Sequence, residues 1–153
     1  MKKLLSASLL LLAVLGNIMV SSSAKAVPTS TLSVTVSGLK NQRGQVCLSL
    51  FASGKGFPGS KGAVQTQCIK ATATTLVVEF PNFKFGNYAV AVFHDTNGSG
   101  ILHRNFLGIP TEEFGFSQNP TILTGAPKFE DAAVFVAGPQ TKIEIQLQTF
   151  LGG

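Results

Sequence analysis

The sequence predicts an all-β domain, a Greek-key β-sandwich of about seven strands, and three observations carry that expectation. Apolar residues recur with a period of two rather than 3.6 through the informative segments. Gly, Asn and Pro punctuate those segments with turns. A length of 153 residues suits one domain with a single core and leaves little room for a second.

Leu32, Val34 and Val36 share one face of a first strand, with Ser33, Thr35 and Ser37 on the other. Gln45–Phe51 is the second strand, after the turn Asn41-Gln-Arg-Gly44, and a Gly-, Pro- and Lys-rich loop over residues 53–62 leads to a third over residues 64–70. Residues 76–80, 88–94, 132–136 and 142–149 complete the set. A membrane barrel is excluded: one Tyr and no Trp cannot furnish two aromatic girdles, and seven strands fall short of the smallest bacterial barrels.

Ahead of these strands, Met1-Lys-Lys, an apolar run over residues 4–20 and Ser21-Ser-Ser-Ala-Lys-Ala26 form the charged, hydrophobic and small-residue regions of a secretory signal peptide. Residues 1–26 are expected to be cleaved, leaving one domain over residues 27–153, periplasmic or extracellular, with no transmembrane segment. That remainder carries nine Lys and Arg against seven Asp and Glu, so the basic character that nucleic-acid binding requires disappears. An oxidising compartment favours a disulfide between Cys47 and Cys68, with two separately buried thiols as the alternative. Closing a loop of that length contributes roughly 3 kcal/mol in the chain-entropy account.

After the fifth strand the alternation fails. Residues 94–130 show no convincing strand or helix, and so long a connection in a compact domain is usually functional. Phe106, Leu107, Ile109, Phe114 and Phe116 are too apolar for a solvated tail, so the loop is expected to be ordered and to fold over the sandwich end as a packed cap. Most of the twelve phenylalanines are read as core filling rather than as a sugar-stacking platform.

The loop opens with Asp95-Thr-Asn97-Gly-Ser99-Gly100, oxygen side chains at positions 1, 3 and 5 and Gly at 6, which is the first half of a calcium loop. Position 12 is Phe106 rather than Glu, so Glu112 or Glu113 would have to complete a shell begun by Asp95, Asn97 and Ser99. The competing reading is an Asx turn in which Asp95 and Asn97 accept from nearby backbone amides without any cation. His94 and His103 flank the same loop, and with Glu112 they form the ligand set of a hypothetical zinc-type hydrolase. Ser117 lies in Gly115-Phe-Ser-Gln-Asn, which lacks the second Gly of a nucleophile elbow.

Three blocks, His94-Asp-x-Asn-x-x-Gly, Asn105-Phe-Leu-Gly-Ile-Pro-x-Glu112 and Phe114-Gly-Phe-Ser117, give the chain its resemblance to a bacterial family of small exported proteins, the domain of unknown function DUF2141. Gly44-Gln-Val-x-Leu-x-Leu-Phe51, Phe57-Pro58, the run from Gly86 to Val92 and Pro127-x-Phe129 extend the likeness over nearly all of the mature chain. The resemblance implies a signal peptide and a transthyretin-like or immunoglobulin-like sandwich, and it brings no activity, substrate or cofactor. The chain departs from the family pattern at Ser99-Gly-Ile-Leu-His103, where relatives commonly read Asn-Gly-Lys-Leu-Asp, so His103 replaces a carboxylate that a calcium loop would use.

The leading functional expectation is therefore a non-enzymatic exported module whose 94–117 loop forms a binding end. Its candidate residues are His94, Asp95, Asn97, Ser99, His103, Glu112 and Ser117, and calcium is the cation that its oxygen donors would suit. The partner is a protein or a small-molecule or glycan ligand. The alternatives are the hydrolase and an interaction protein that acts through its edge strands while the loop is purely structural.

Overall fold

A computed structural model describes residues 25–150, so the signal peptide expected over residues 1–26 lies outside the described residues in all but its last two positions. The alternation in the first strand becomes a buried face: Leu32, Val34 and Val36 are fully buried in β1 (Thr29–Ser37). The remaining elements are β2 (Gln45–Phe51), β3 (Gln65–Lys70), β4 (Leu76–Lys84), β5 (Gly86–Asp95), β6 (Phe114–Phe116), a one-turn helix α1 (Phe129–Ala132), β7 (Val134–Val136) and β8 (Gln140–Gln146).

Two sheets pack face to face. One has the order β4-β1-β8, with β1 antiparallel to β4 and parallel to β8. The other has the order β3-β2-β5, and β5 pairs along its free edge with β7 near its start and β6 near its end. The chain crosses between sheets after β1, β3, β4 and β7. Between the sheets lie Leu32, Val34 and Val36 with Val46, Leu48, Leu50, Val78, Phe80, Val90, Val92 and Ile145. Alternation along each strand delivers these side chains to one face, and their removal from water is the main force holding the sheets together.

The structure adds to the sequence-predicted set. β6 is an eighth strand, three residues long, in what reads as unbroken loop, and α1 occupies the start of the strand expected at 132–136. β4 runs four residues past the expected end, through Pro81. It lies at the sheet edge, where a residue without an N–H is tolerated. Asn82 there has φ of 65° opposite the register shift between Ser30 and Leu32, a bulge that carries the strand on.

Cys47 and Cys68 face each other across β2 and β3 and form the expected disulfide, with Cα atoms 4.0 Å apart. No helix among the described residues is long and apolar enough to cross a membrane. The outer face of the second sheet carries a smaller apolar cluster of Ala89, Phe114, Phe116 and Ala132, with Phe57, Phe93, Phe129 and Phe150 packed against it. Phe57, from the loop between β2 and β3, is its hub, meeting Phe51, Phe116 and Phe129 at ring-centroid distances of 5.0, 5.9 and 6.0 Å.

Candidate functional site

The 94–117 segment begins where β5 runs out of the sheet. His94 shares the core face with its register partner Val46 and is fully buried. Its Nε2 donates to the Arg43 carbonyl at 2.8 Å, while Nδ1 lies 2.8 Å from Glu113 Oε2. A carbonyl oxygen only accepts, so Nε2 carries a hydrogen, and the Nδ1–carboxylate contact needs one further proton. The pair therefore shares a proton in a buried place, with both ring nitrogens engaged. The contact is close because the turn before β2 presses on the end of β5: Gly44 has φ of 69°, and a Cβ built there would stand 2.1 Å from the Asp95 carbonyl oxygen.

Asp95 is buried as well, and its carboxylate organises the turn that follows. Oδ1 accepts from the Ser99 amide at 3.0 Å and from Ser99 Oγ at 3.4 Å. Oδ2 accepts from the Gly100 amide at 2.7 Å and from Gln45 Nε2 at 2.8 Å. Burial pushes the carboxyl up, but the hydrogen bonds from Gln45 and from the backbone of Gly100, Ser99 and Gly98 outweigh it and hold Asp95 below the usual carboxylate range. Asn97 Oδ1 also accepts from the Ser99 amide, at 3.0 Å. The oxygens set out at calcium-loop spacing are thus turned largely onto the loop's own amides, with donors from Gln45, Gly98, Ser99 and Gly100 taking up the acceptor positions of Asp95.

Beyond Gly100 the chain forms a finger. Arg104 and Pro110 make an isolated antiparallel bridge, and the Thr111 amide donates to the His103 carbonyl. Asn105 closes the tip: its Oδ1 accepts from the amides of Leu107 and Ile109 at 2.9 and 3.1 Å, and its own amide donates to Ile109. Arg104 Nη1 donates to the Gly108 carbonyl at 2.9 Å, where φ of 77° suits glycine. Glu112 Oε2 accepts from the His103 amide at 3.0 Å and lies 3.6 Å from His103 Nδ1.

This finger corrects the packed cap that the sequence suggested. Phe106 is 95% exposed and Leu107 66% exposed, while only Phe114 and Phe116 of the five apolar residues are buried. Side-chain-to-backbone hydrogen bonds at Asn105 hold the tip in shape, so its apolar residues need not pack to keep it ordered.

The finger instead walls a groove. Its floor is the outer face of the second sheet, with Ser49, Ala91 and Phe93 beside Phe114 and Phe116. One wall is Ile101, Leu102, Arg104 and Leu107 to Pro110; the others are the turn at Pro58 to Ser60 and the return segment at Ile122 and Thr124 to Ala126, with Phe150 at one end. The space measures about 410 Å³, within the range of small-molecule sites. Among the described residues that line it, Arg104 is the one that carries a charge.

The structure divides the candidate residues named from sequence. None of His94, Asp95, Asn97, Ser99, His103, Glu112 and Ser117 lines the groove. Ser117 is fully buried; its Oγ accepts from the Val90 amide at 2.9 Å and donates to the Ala132 carbonyl, tying β5 to the end of α1. His94, His103 and Glu112 do not assemble the hydrolase ligand set: among the described residues no group of three His, Cys, Asp or Glu side chains could hold a metal ion. Sequence reasoning missed the groove; apolar residues in a loop with Arg104 beside them are the signal that could have found it, but the same residues also fit a cap.

Residues 34–144 match the model of a protein family described as an uncharacterized protein conserved in bacteria, DUF2141. No curated protein and no solved structure matches the chain.

Proposed function

The chain belongs to the DUF2141 family, and we propose that it is an exported, non-enzymatic binding module, a β-sandwich that receives an apolar small molecule in the groove walled by its 94–117 loop. The observation that carries this reading is the groove itself, a concavity with a phenylalanine floor beside a finger whose shape is held by its own hydrogen bonds. Binding is favoured over chemistry because His94 and Ser117, the side chains best suited to acid–base or nucleophilic work, are buried with their polar atoms engaged. A cation at Asp95 would have to displace the donors already there, so the groove rather than this turn is the ligand site in this reading. Export is supported by the charged and apolar start of the sequence and by the Cys47–Cys68 disulfide, a bond that oxidising compartments preserve. The finer likeness, to transthyretin-like or immunoglobulin-like sandwiches, draws on the two packed sheets.

A solvatochromic apolar dye such as Nile red tests the reading. Saturable binding with a blue-shifted emission is expected, and Ala91→Glu, which places a charge on the groove floor, should abolish it while melting remains cooperative. Absence of binding to the unaltered protein, or equal binding to the variant, overturns the proposal.

A further inference from the structure

We infer that the occupant of the groove is a single-chain amphiphile with a carboxylate head, its hydrocarbon chain on the phenylalanine floor and its head on Arg104. This rests on reading the groove as a ligand site and specifies what enters it.

The floor selects for hydrocarbon. Ala91, Phe93, Phe114 and Phe116 offer methyl groups and ring surfaces, and the one floor hydroxyl, that of Ser49, already bonds Thr66 Oγ1 at 3.1 Å, so a sugar or a polar peptide would lose water there with little replacement. An aliphatic chain gains with each methylene removed from water. The side walls supply few polar groups, the hydroxyls of Ser60 and Thr124 among them.

The head is set by charge. Among the described residues Arg104 is the only ionic group of the lining, and no carboxylate there forms an ion pair with it. Its bond to the Gly108 carbonyl uses one donor of the guanidinium and fixes the group on the finger, leaving other N–H groups for an anion. A planar fork of this kind matches a carboxylate in bidentate fashion. A phosphomonoester head carries nearly two charges at neutral pH and would call for more than one base. The groove supplies one.

Calorimetric titration of the full-length, disulfide-bonded protein with decanoate, decanol and decylamine separates the head from the chain. Decanoate is expected to bind at least about tenfold more tightly than decanol, with decylamine the weakest, as a charge-assisted bond to one ionic group implies. Arg104→Gln should bring decanoate to the level of decanol without lowering the melting temperature, and Arg104→Lys should recover part of the preference. If decanoate and decanol bind alike and Arg104→Gln changes neither, the carboxylate assignment is overturned while the groove remains a ligand site. If none of the three binds, the groove reading fails and this inference fails with it.

Discussion

Asp95 shows how one side chain fixes a turn, and its energetics have a defined pH sense. Its folded carboxyl lies below the ordinary range because hydrogen bonds to the charged form outweigh burial, so its contribution is fully present above the ordinary aspartate value of 3.8. That contribution is lost as pH falls through the folded value. Asp95→Ala is expected to cost about 2 kcal/mol at neutral pH in denaturant unfolding, and its deficit relative to the unaltered protein should shrink in acid. The His94–Glu113 pair gives a second prediction from proton bookkeeping. Glu113→Gln can donate from its amide to Nδ1 of a neutral ring whose Nε2 still donates to Arg43, whereas Glu113→Ala leaves a buried nitrogen without a partner. Chemical denaturation should show Glu113→Ala destabilised by about 1–3 kcal/mol and Glu113→Gln by less. Both residues stand out in the sequence as a histidine and acids around a loop. Their partners do not, because Gln45 and the Arg43 carbonyl lie about fifty positions away and arrive only through the pairing of β2 with β5.

The finger behaves as an element in its own right, since its shape depends on Asn105 and Gly108 rather than on a core. Asn105→Ala is expected to speed hydrogen exchange at the amides of Leu107 and Ile109 while moving the global melting temperature little, because those amides are near water and the sandwich does not rest on them. Phe106→Ser should change stability by no more than about 0.5 kcal/mol, because the ring is almost wholly in solvent. Long alternating strands were legible in the sequence, as was the Cys47–Cys68 bridge, because a period of two has one physical meaning in a half-buried strand. Short elements were not. β6 spans three residues, Phe114-Gly-Phe, too few to show a period, and its glycine is required by an approach invisible in sequence: a Cβ on Gly115 would stand 2.7 Å from Ile145 Cγ2. The finger tip was misread because apolar composition does not distinguish a side chain buried in a cap from one displayed by a turn.

Across the whole molecule the sandwich is stapled at one edge by the disulfide and joined along another by the pairing of Phe114 with Gln148, which links β6 to the segment after β8. The disulfide acts chiefly on the unfolded chain, whose freedom it restricts over a separation of 21 residues. Reduction should lower stability by about 3 kcal/mol and the melting temperature by roughly 10 °C, as a thermal scan with and without reductant would show. The parallel pairing of β1 with β8, which sets Thr31 beside Gln140 and Val36 beside Ile145, reaches furthest along the chain. A ribosome delivers β1 first of the eight described strands and β8 after the other seven. Until β8 has emerged one flank of β1 has no neighbour, and the first sheet cannot close. The first sheet of the nascent polypeptide therefore stays open while the second can already pair β2 with β3 and β5, and it locks when β8 arrives.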